Sequence, residues 1–523
     1  MPTYLSPGVY VQEVEAGTRP IEGVGTAVAA FVGLAAKGPA NEPTLVSNWT
    51  QFSETFGDFV PGSYLAHSVY GYFLNGGGNC YIVRIGADGA ESNGDGQKPK
   101  AKQVKAVAGP PMAEVAGYRI IGKSTAANPK PITVEFDAAG GDGAPEDQFR
   151  ITITVEGRQP EVFDNVTTKK GPNNVATKVS AESKLVTIEE VLSGGALTKP
   201  DKGTVRLELP EPEPEPPSTD TLSADDYVGD AADRTGFSGL EAVDEVTMVA
   251  IPDLVAAYEQ GAIDGETLKA VQLALIAHCE LMGDRVAIID PPPGLNAQQI
   301  KEWRVNDAGY DSKYATLYWP RLKVLDPSEG VHRFVPPSGH IAGVWARNDD
   351  TRGVHKAPAN EVIRGVTSLE TNITSTEQEL LNPIGVNCVR SFPGRGIRVW
   401  GARTLSSDAA WRYVNVRRLF NYLEESILQG TQWAVFEPND PALWSRIRRT
   451  ISAFLTNEWR KGALFGTSPD EAFFVKCDAE TNPAEGIDAG QVVCQVGVAP
   501  VKPAEFVIFQ LSQFSGGTSL VNE

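Results

Sequence analysis

The stretch that most constrains this chain runs from Glu245 to Pro292. EVTMVAIPD reads as a strand, DGETLKAVQLALIAHCELMG as a helix, and DRVAIIDPP as the next strand. Strand, helix and strand in that order make a right-handed parallel crossover. An α/β body is therefore expected here. Residues 21–86 carry the same signature: TAVAAFVGLA as a buried strand, SYLAHSVYGYFLNGGG as a helix ending in glycines, and NCYIVRIG as a strand.

Between these two α/β stretches the composition changes. ADGAESNGDGQKPKAKQ is polar and glycine-rich, and YRIIG, ITVEF, FRITITVEG and TVRLELP follow as short β-like runs separated by turn residues. That pattern predicts a small all-β domain. It ends in LPEPEPEPPSTDTLSADD, whose alternating Glu and Pro predict an extended, semi-rigid linker. The reading is an α/β (α+β) core split by an insertion. It assigns 1–20 to an N-terminal arm, 21–86 and 236–503 to the core, 87–235 to the inserted β-rich domain, and 504–523 to a C-terminal strand and arm.

The last third carries two amphipathic helices. In SSDAAWRYVNVRRLFNYLEESILQG the residues Trp411, Val416, Leu419, Phe420, Leu423 and Ile427 share a face. Ser407 or Asp408 is expected to cap its start and Gly430 its end. In NDPALWSRIRRTISAFLTNEWRKG the stripe is Trp444, Ile447, Ile451, Phe454 and Leu455, with Asn439 or Asp440 as cap and Pro441 in the first turn. Strands are expected in EAFFVKCD, QVVCQVGVA and EFVIFQLSQ, the last containing Phe506, Ile508 and Leu511. At the other end, MPTYLSPGVYVQEVEAG alternates as a strand does, with Val9 and Val11 on one side and Tyr10 and Val14 on the other. No hairpin partner follows it. Its partner is distant in the chain or on another chain.

The chemistry-bearing motifs are thin. The formal charge of −20 argues against nucleic acid as a main partner. Five cysteines without a CxxC predict reduced, mostly buried thiols, and five scattered histidines give no zinc spacing. GVGTAV and GRGIRV lack the third glycine of a dinucleotide fingerprint, and neither GxxxxGK[ST] nor GxSxG is present. RNDDTRGVHKAPAN gathers Asp349, Asp350, Arg352, His355 and Lys356, which a catalytic or metal site could use but an ordered, salt-bridged loop or an interface explains better. Arg412, Arg417, Arg418, Arg446, Arg448, Arg449, Arg460 and Lys461 stand out in an acidic chain, as a solvated helix face or as a basic surface for an acidic partner. No signal peptide and no bilayer-spanning run are expected, and the protein is expected to fold in a cytoplasm.

Taken together, YLSPGVYVQEV, WARNDDTRGVHKAPANE, NPIGVNCVRSFPGRGIRVWGARTL, YVNVRRLFNYLEESILQGTQWAVFEPND, GALFGTSPDEAFFVKCDAETN and VGVAPVKPAEFVIFQLSQ resemble the contractile tail sheath family of bacteriophages and bacterial contractile injection systems. The resemblance covers roughly 1–86 and 236–523. It implies a structural subunit, not an enzyme, that polymerises with six-fold helical symmetry around an inner tube and contracts to drive the tube through a target envelope. It implies no cofactor or metal, no nucleic acid and no direct membrane insertion. The implied partners are other copies through strand exchange, the inner tube protein, and baseplate and tail-terminator or cap proteins. The insertion would face outward. Assembly would take place in the bacterial cytoplasm, and the product would be a virion tail or an injection particle. On this reading Val9, Tyr10, Val11 and Val14 form an inter-subunit arm strand, and Phe506, Ile508 and Leu511 a C-terminal one. Both apolar helix stripes would point inward, leaving Arg446, Arg448, Arg449, Arg460 and Lys461 as candidates to face the tube. The alternative is a soluble α/β enzyme with a β-rich lid.

Overall fold

A computed structural model describes residues 20–86, 112–123, 132–140, 145, 147–155, 159–191, 199–207 and 222–510. The predicted arm strand at Val9, Tyr10, Val11 and Val14, the Glu-Pro stretch and Leu511 lie outside the described residues. The chain divides into two compact units, Met1–Glu91 with Pro216–Glu523, and Ser92–Glu215.

The larger unit is built on an eight-stranded sheet. Its spatial order is Gly396–Val399, Val386–Phe392, Ala315–Trp319, Val286–Ile289, Met248–Ala250, Ala29–Gly33, Cys80–Arg84 and Thr44–Val46. The six inner strands are parallel and each edge strand is antiparallel. Ala29–Gly33, Val286–Ile289 and Ala315–Trp319 are buried along their whole length. That is why they read as unbroken apolar runs: a parallel sheet is covered on both faces. Ala30, Val32, Val249 and Ala287 pack on Leu254, Leu268, Val271 and Leu275. Phe31, Met248, Ala250 and Ile288 face the other way, onto Leu65, Val69, Ile341 and Trp345.

The helices begin and end where their sequences require. In Gly265–Met282, Asp264 accepts the Thr267 amide at 2.8 Å, and Gly283 closes the helix at φ 73°. On the opposite face Leu65–Asn75 and Ser338–Arg352 meet almost backbone to backbone. A Cβ on Gly339 would lie 2.4 Å from the Ser68 backbone, and one on Gly343 would lie 2.4 Å from the Tyr72 carbonyl oxygen. Only glycine permits that approach.

The C-terminal part packs against this body with its own core. Helices Val414–Gly430 and Pro441–Arg460 bury Leu419, Leu423, Leu443, Trp444, Ile447, Ile451, Phe454 and Leu455 together. Asp440 caps the second helix, accepting the Leu443 amide at 2.8 Å. The first helix starts at Val414, after Tyr413, rather than behind Ser407 or Asp408. Asp408 instead accepts the Ala410 amide in a preceding turn, at 2.8 Å, and Ser407 bonds Asp311.

The smaller unit has a four-stranded antiparallel sheet, ordered Gly203–Leu207, Ile132–Ala138, Gln148–Val155 and Glu161–Thr167. A three-stranded sheet of Met112–Val115, Tyr118–Gly122 and Val186–Glu190 accompanies it. Phe136, Phe149, Ile151, Ile153 and Val166 fill its core. The sequence predicts an all-β domain, but a helix, Val175–Glu182, also packs there, capped by Asn174.

The expected boundary at 235 is too late. Leu222, Tyr227, Phe237 and Leu240 are buried among the strand residues of the larger unit. The buried Arg285 guanidinium donates to the carbonyls of Leu240 at 2.9 Å and Val243 at 3.1 Å. Residues 222–243 thus belong to the α/β body.

Candidate assembly surface

In an open α/β sheet a ligand binds beyond the carboxyl ends of the strands, where the strand order reverses. Here the reversal falls at Ala29–Gly33, which has Cys80–Arg84 on one side and Met248–Ala250 on the other. The protein's own Asp253 occupies that place. Its fully buried carboxylate accepts the Leu34 amide at 2.6 Å, the Leu65 amide at 3.0 Å, the Ser63 hydroxyl at 2.9 Å and the Tyr64 amide. Burial pushes its pKa up to about 6, against the pull of those donors. One strand over, Asp290 accepts the Ser338 amide at 3.1 Å, and burial pushes it up to about 7. Both carboxylates fasten helix N-termini to strand ends.

The polar run at 347–361 is likewise structural. Asp349 is paired with Arg418 at 2.6 Å, and Lys356 with Glu361 at 2.6 Å. Arg347 donates to the Asn75 carbonyl at 2.7 Å, and Asn348 to the Lys356 carbonyl at 2.8 Å.

Arg417 and Arg418 correct the expectation that both helices turn their arginines outward. Each is under 5% exposed. Arg417 lies over the rings of Trp411 and Tyr314, at 4.5 and 4.7 Å, and donates to Asn421 Oδ1 at 2.6 Å. Arg418 lies 4.7 Å over Trp345 and donates to the Thr26 carbonyl at 2.8 Å as well as to Asp349. These two side chains pin Val414–Gly430 to the α/β body.

Of the five predicted tube-facing residues, Arg446 pairs with Glu437 at 2.6 Å and lies over Trp433, and Lys461 pairs with Glu458 at 2.7 Å. Arg448, Arg449 and Arg460 are exposed, with Arg448 reaching the Cys477 carbonyl at 3.5 Å and Arg449 the Ser445 carbonyl at 3.3 Å. All three lie on the helix Pro441–Arg460.

The feature that stands open is a sheet. Phe473–Lys476 pairs antiparallel with Gln495–Val498 and, among the described residues, these two strands form the whole sheet. A two-stranded sheet is marginal alone and leaves a row of backbone groups on each outer edge. Phe474 on its surface is exposed. Past the second strand the chain pairs Leu464 with Pro500 and runs on to Glu505. There the carboxylate takes Arg403 at 2.6 Å, Asn382 at 2.8 Å and the Tyr413 hydroxyl at 3.1 Å. Those bonds hold Glu505 below the usual carboxylate range despite its partial burial. A cleft of about 900 Å³ opens along this segment, between Gln378, Arg390 and Trp400 on the body and Val501–Val507.

Beyond the Glu505 clamp, Phe506, Val507, Ile508 and Phe509 are 73, 67, 82 and 84% exposed. Among the described residues they join no strand, although EFVIFQLSQ reads as one. An isolated strand has no ladder to satisfy its backbone, so its strand character needs a second sheet edge. The other end of the chain is anchored nearby. Ile21 is buried against the C-terminal helices, the Val24 amide donates to Ser426 Oγ at 3.1 Å, and the Thr26 hydroxyl donates to Asp349 at 2.7 Å. Sequence reasoning missed the Glu505 clamp and the Asp253 anchor because their partners lie 92–123 and 188–219 residues away.

Residues 225–405 match the phage tail sheath protein central domain, and residues 406–514 the phage tail sheath C-terminal domain, together more than half of the chain. A tail sheath protein of Vibrio phage KVP40 is 30% identical over 247 residues, 43% of this chain and 36% of that protein. The chain therefore spans about a third of the length of that relative. A tail sheath protein of Burkholderia phage BcepMu is 24% identical over 530 residues, 96% of this chain and 95% of that protein. The fold resembles a chain in the cryo-EM structure of the anti-feeding prophage helical sheath in its contracted state, with TM-score 0.58, 24% identity, and coverage of 98% of this chain and 100% of that one. Two adjoining family domains, a relative matched end to end and a sheath fold agree: the chain belongs to the tail sheath family of contractile phage tails and injection systems.

Proposed function

We propose that this protein is the repeating subunit of a contractile sheath, polymerising helically around an inner tube and contracting to drive that tube through a target envelope. The observation that carries the proposal is the pairing of supply and demand in one chain. A two-stranded sheet has outer edges without a strand partner among the described residues, and an apolar segment at Phe506–Phe509 has no ladder of its own. Strand addition to a neighbour's sheet satisfies both. Ordering an arm of about twenty residues costs roughly 1–2 kcal/mol of backbone entropy per residue, so only a partner's sheet edge can offset it. The donor and acceptor surfaces differ, and a heterologous contact that does not close generates an open helical filament.

The division of labour follows. The α/β body, cross-linked by Asp253, Asp290 and the Asp349–Arg418 pair, moves as a block. The arms keep neighbours linked while those blocks exchange one packing for another. The energy of firing lies in the difference between the two packings, so no nucleotide is needed. The tube is held by many weak charge contacts from the exposed basic residues of Pro441–Arg460, with Arg448, Arg449 and Arg460 first among them. Exposed pairs are worth about 0–1 kcal/mol each, so each breaks easily while repetition fixes register. The insertion faces outward, baseplate and terminal cap proteins close the two ends, and assembly takes place in the cytoplasm.

Electron microscopy of the expressed protein tests the reading. The full chain should form striated tubes. Removal of residues 1–17, or of 504–523, should leave a folded protein that forms none. Normal tubes from both truncated chains would refute strand exchange. Reversing Arg448 and Arg449 to Glu, with tube and baseplate proteins co-expressed, should lower the yield of extended, tube-filled particles.

A further inference from the structure

The register of the open sheet pairs Lys476 with Gln495. One step further along, Cys477 stands opposite Cys494. The alternation of the ladder fixes the kind of position. The Ala499 amide donates to the Ala472 carbonyl at 2.8 Å, which makes 472 and 499 a hydrogen-bonded pair. Counting alternately from there, 474–497 and 476–495 are also hydrogen-bonded, while 473–498, 475–496 and 477–494 are not. At non-hydrogen-bonded positions the Cα atoms lie about 4.5 Å apart and the side chains converge. A disulfide spans Cα separations of about 4.4–6.8 Å. Both thiols are free, and each lies within interaction range of the other. Cys477 is buried and Cys494 half-buried. The other three cysteines are buried, Cys80 and Cys388 within the main sheet and Cys279 within a helix.

We propose that Cys477 and Cys494 are an oxidisable pair that closes a cross-strand disulfide, stapling the open sheet, when the protein meets an external low-molecular-weight disulfide. The half-exposed Cys494 sulfur, as thiolate, attacks one sulfur of that disulfide. The external S–S bond breaks, one thiol leaves, and a mixed disulfide forms on Cys494. The Cys477 sulfur then attacks the Cys494 sulfur, the second external thiol leaves, and the Cys477–Cys494 bond forms. The two protein thiols are oxidised, the external disulfide is reduced, and the two protons leave with the released thiols. Burial holds both thiols above the ordinary thiol range, so exchange is slow at neutral pH. Nearby Arg448, whose charge favours the thiolate, partly offsets this. The pair is thus a slow staple rather than a fast sensor. It stays reduced in a reducing compartment and closes after exposure to an oxidising one. This inference does not depend on the assembly reading, because the sheet exists in the single chain.

The test uses the full chain, equilibrated with oxidised glutathione, alkylated, and digested without reduction for mass spectrometry. The expected result is a single cross-linked peptide pair joining Cys477 and Cys494, two hydrogens lighter than the reduced pair. Cys80, Cys279 and Cys388 should be alkylated only after unfolding. Oxidised wild type should melt at a higher temperature than reduced wild type, reversibly, and Cys494→Ser should show no such shift. Recovery of Cys477 and Cys494 as alkylated thiols, or a persistent glutathione adduct on Cys494, would overturn the proposal. Peptide mapping of the wild type decides the matter even if the variant does not fold.

Discussion

Truncating Asp349 to alanine should destabilise the subunit by about 3 kcal/mol or more. Its carboxylate accepts both Arg418 terminal nitrogens, at 3.0 and 2.6 Å, and the Thr26 hydroxyl at 2.7 Å. The two side chains are 3% and 4% exposed, so water cannot replace the lost partner. Breaking a buried pair from one side typically costs about 3–5 kcal/mol, because the remaining charge stays buried. Arg418 would keep the Thr26 carbonyl and the Trp345 ring face, which sets the low end of that range. Against a total stability of about 5–15 kcal/mol this is a large fraction. The assay is urea denaturation of the unassembled subunit, followed by tryptophan fluorescence. The double variant Asp349→Ala/Arg418→Met removes both charges and should recover much of the loss, to within about 1 kcal/mol of Arg418→Met alone or better. A loss below about 1 kcal/mol for Asp349→Ala, or a double variant as poor as the two single losses added, would refute the claim that this pair clamps the C-terminal helix to the body.

Three further outcomes follow from the same geometry. Gly343→Ala would place a methyl group 2.4 Å from the Tyr72 carbonyl oxygen and 2.8 Å from Asn75 Cβ. It should cost about 1–3 kcal/mol by overpacking in thermal denaturation, while Gly78→Ala, which meets nothing within 4 Å, should be close to neutral. Asp253 and Asp290 have folded pKa values raised to about 6 and about 7, so their stabilising contribution is full below the ordinary carboxylate range and is lost as pH rises through 6–7. Melting temperature should therefore fall from about pH 4 to about pH 7 and level off above, and Asp290→Asn should flatten that slope. Finally, excision of residues 92–215 across a short Gly/Ser bridge should leave the α/β body folded by circular dichroism, whereas excision of 87–235 should not, because it removes Leu222 and Tyr227 from the core.

What was legible in the sequence was what local periodicity encodes. Glu245–Pro292 announces a strand, a helix and a strand because its strands are unbroken apolar runs and its long helix, Gly265–Met282, is bounded by Asp264 and Gly283, while the short helix Pro252–Glu259 between them carries no such signal. Pro441–Arg460 was legible for the same reason, with Asp440 and Pro441 marking its first turn. The helix at 414 was placed too early because SSDA imitates a cap, whereas Asp408 and Ser407 spend their side chains in a turn. A stripe pattern sorts side chains by polarity and so puts Arg417 and Arg418 on the surface. Their burial depends on Asp349, Trp345, Tyr314 and Trp411, and all but Trp411 are distant in the chain. The Asp253 anchor was invisible for a similar reason, since a carboxylate after VAIP carries no sign of the amides that will meet it. The end of the insertion was misplaced because low-complexity sequence runs up to Asp220, and Leu222–Tyr227 is too short to show a period. Strand character at EFVIFQLSQ is readable, but among the described residues no ladder completes it.

The most direct test of the central claim is a reconstruction of the assembled tubes at a resolution that traces backbone through Phe473–Lys476 and Gln495–Val498. The account predicts that this sheet gains strands, that the added strands are contributed by other subunits, and that Phe506–Phe509 and the segment around Val9–Val14 are among them. A sheet that remains two-stranded in the tube, with subunits touching only through helices and loops, would contradict it.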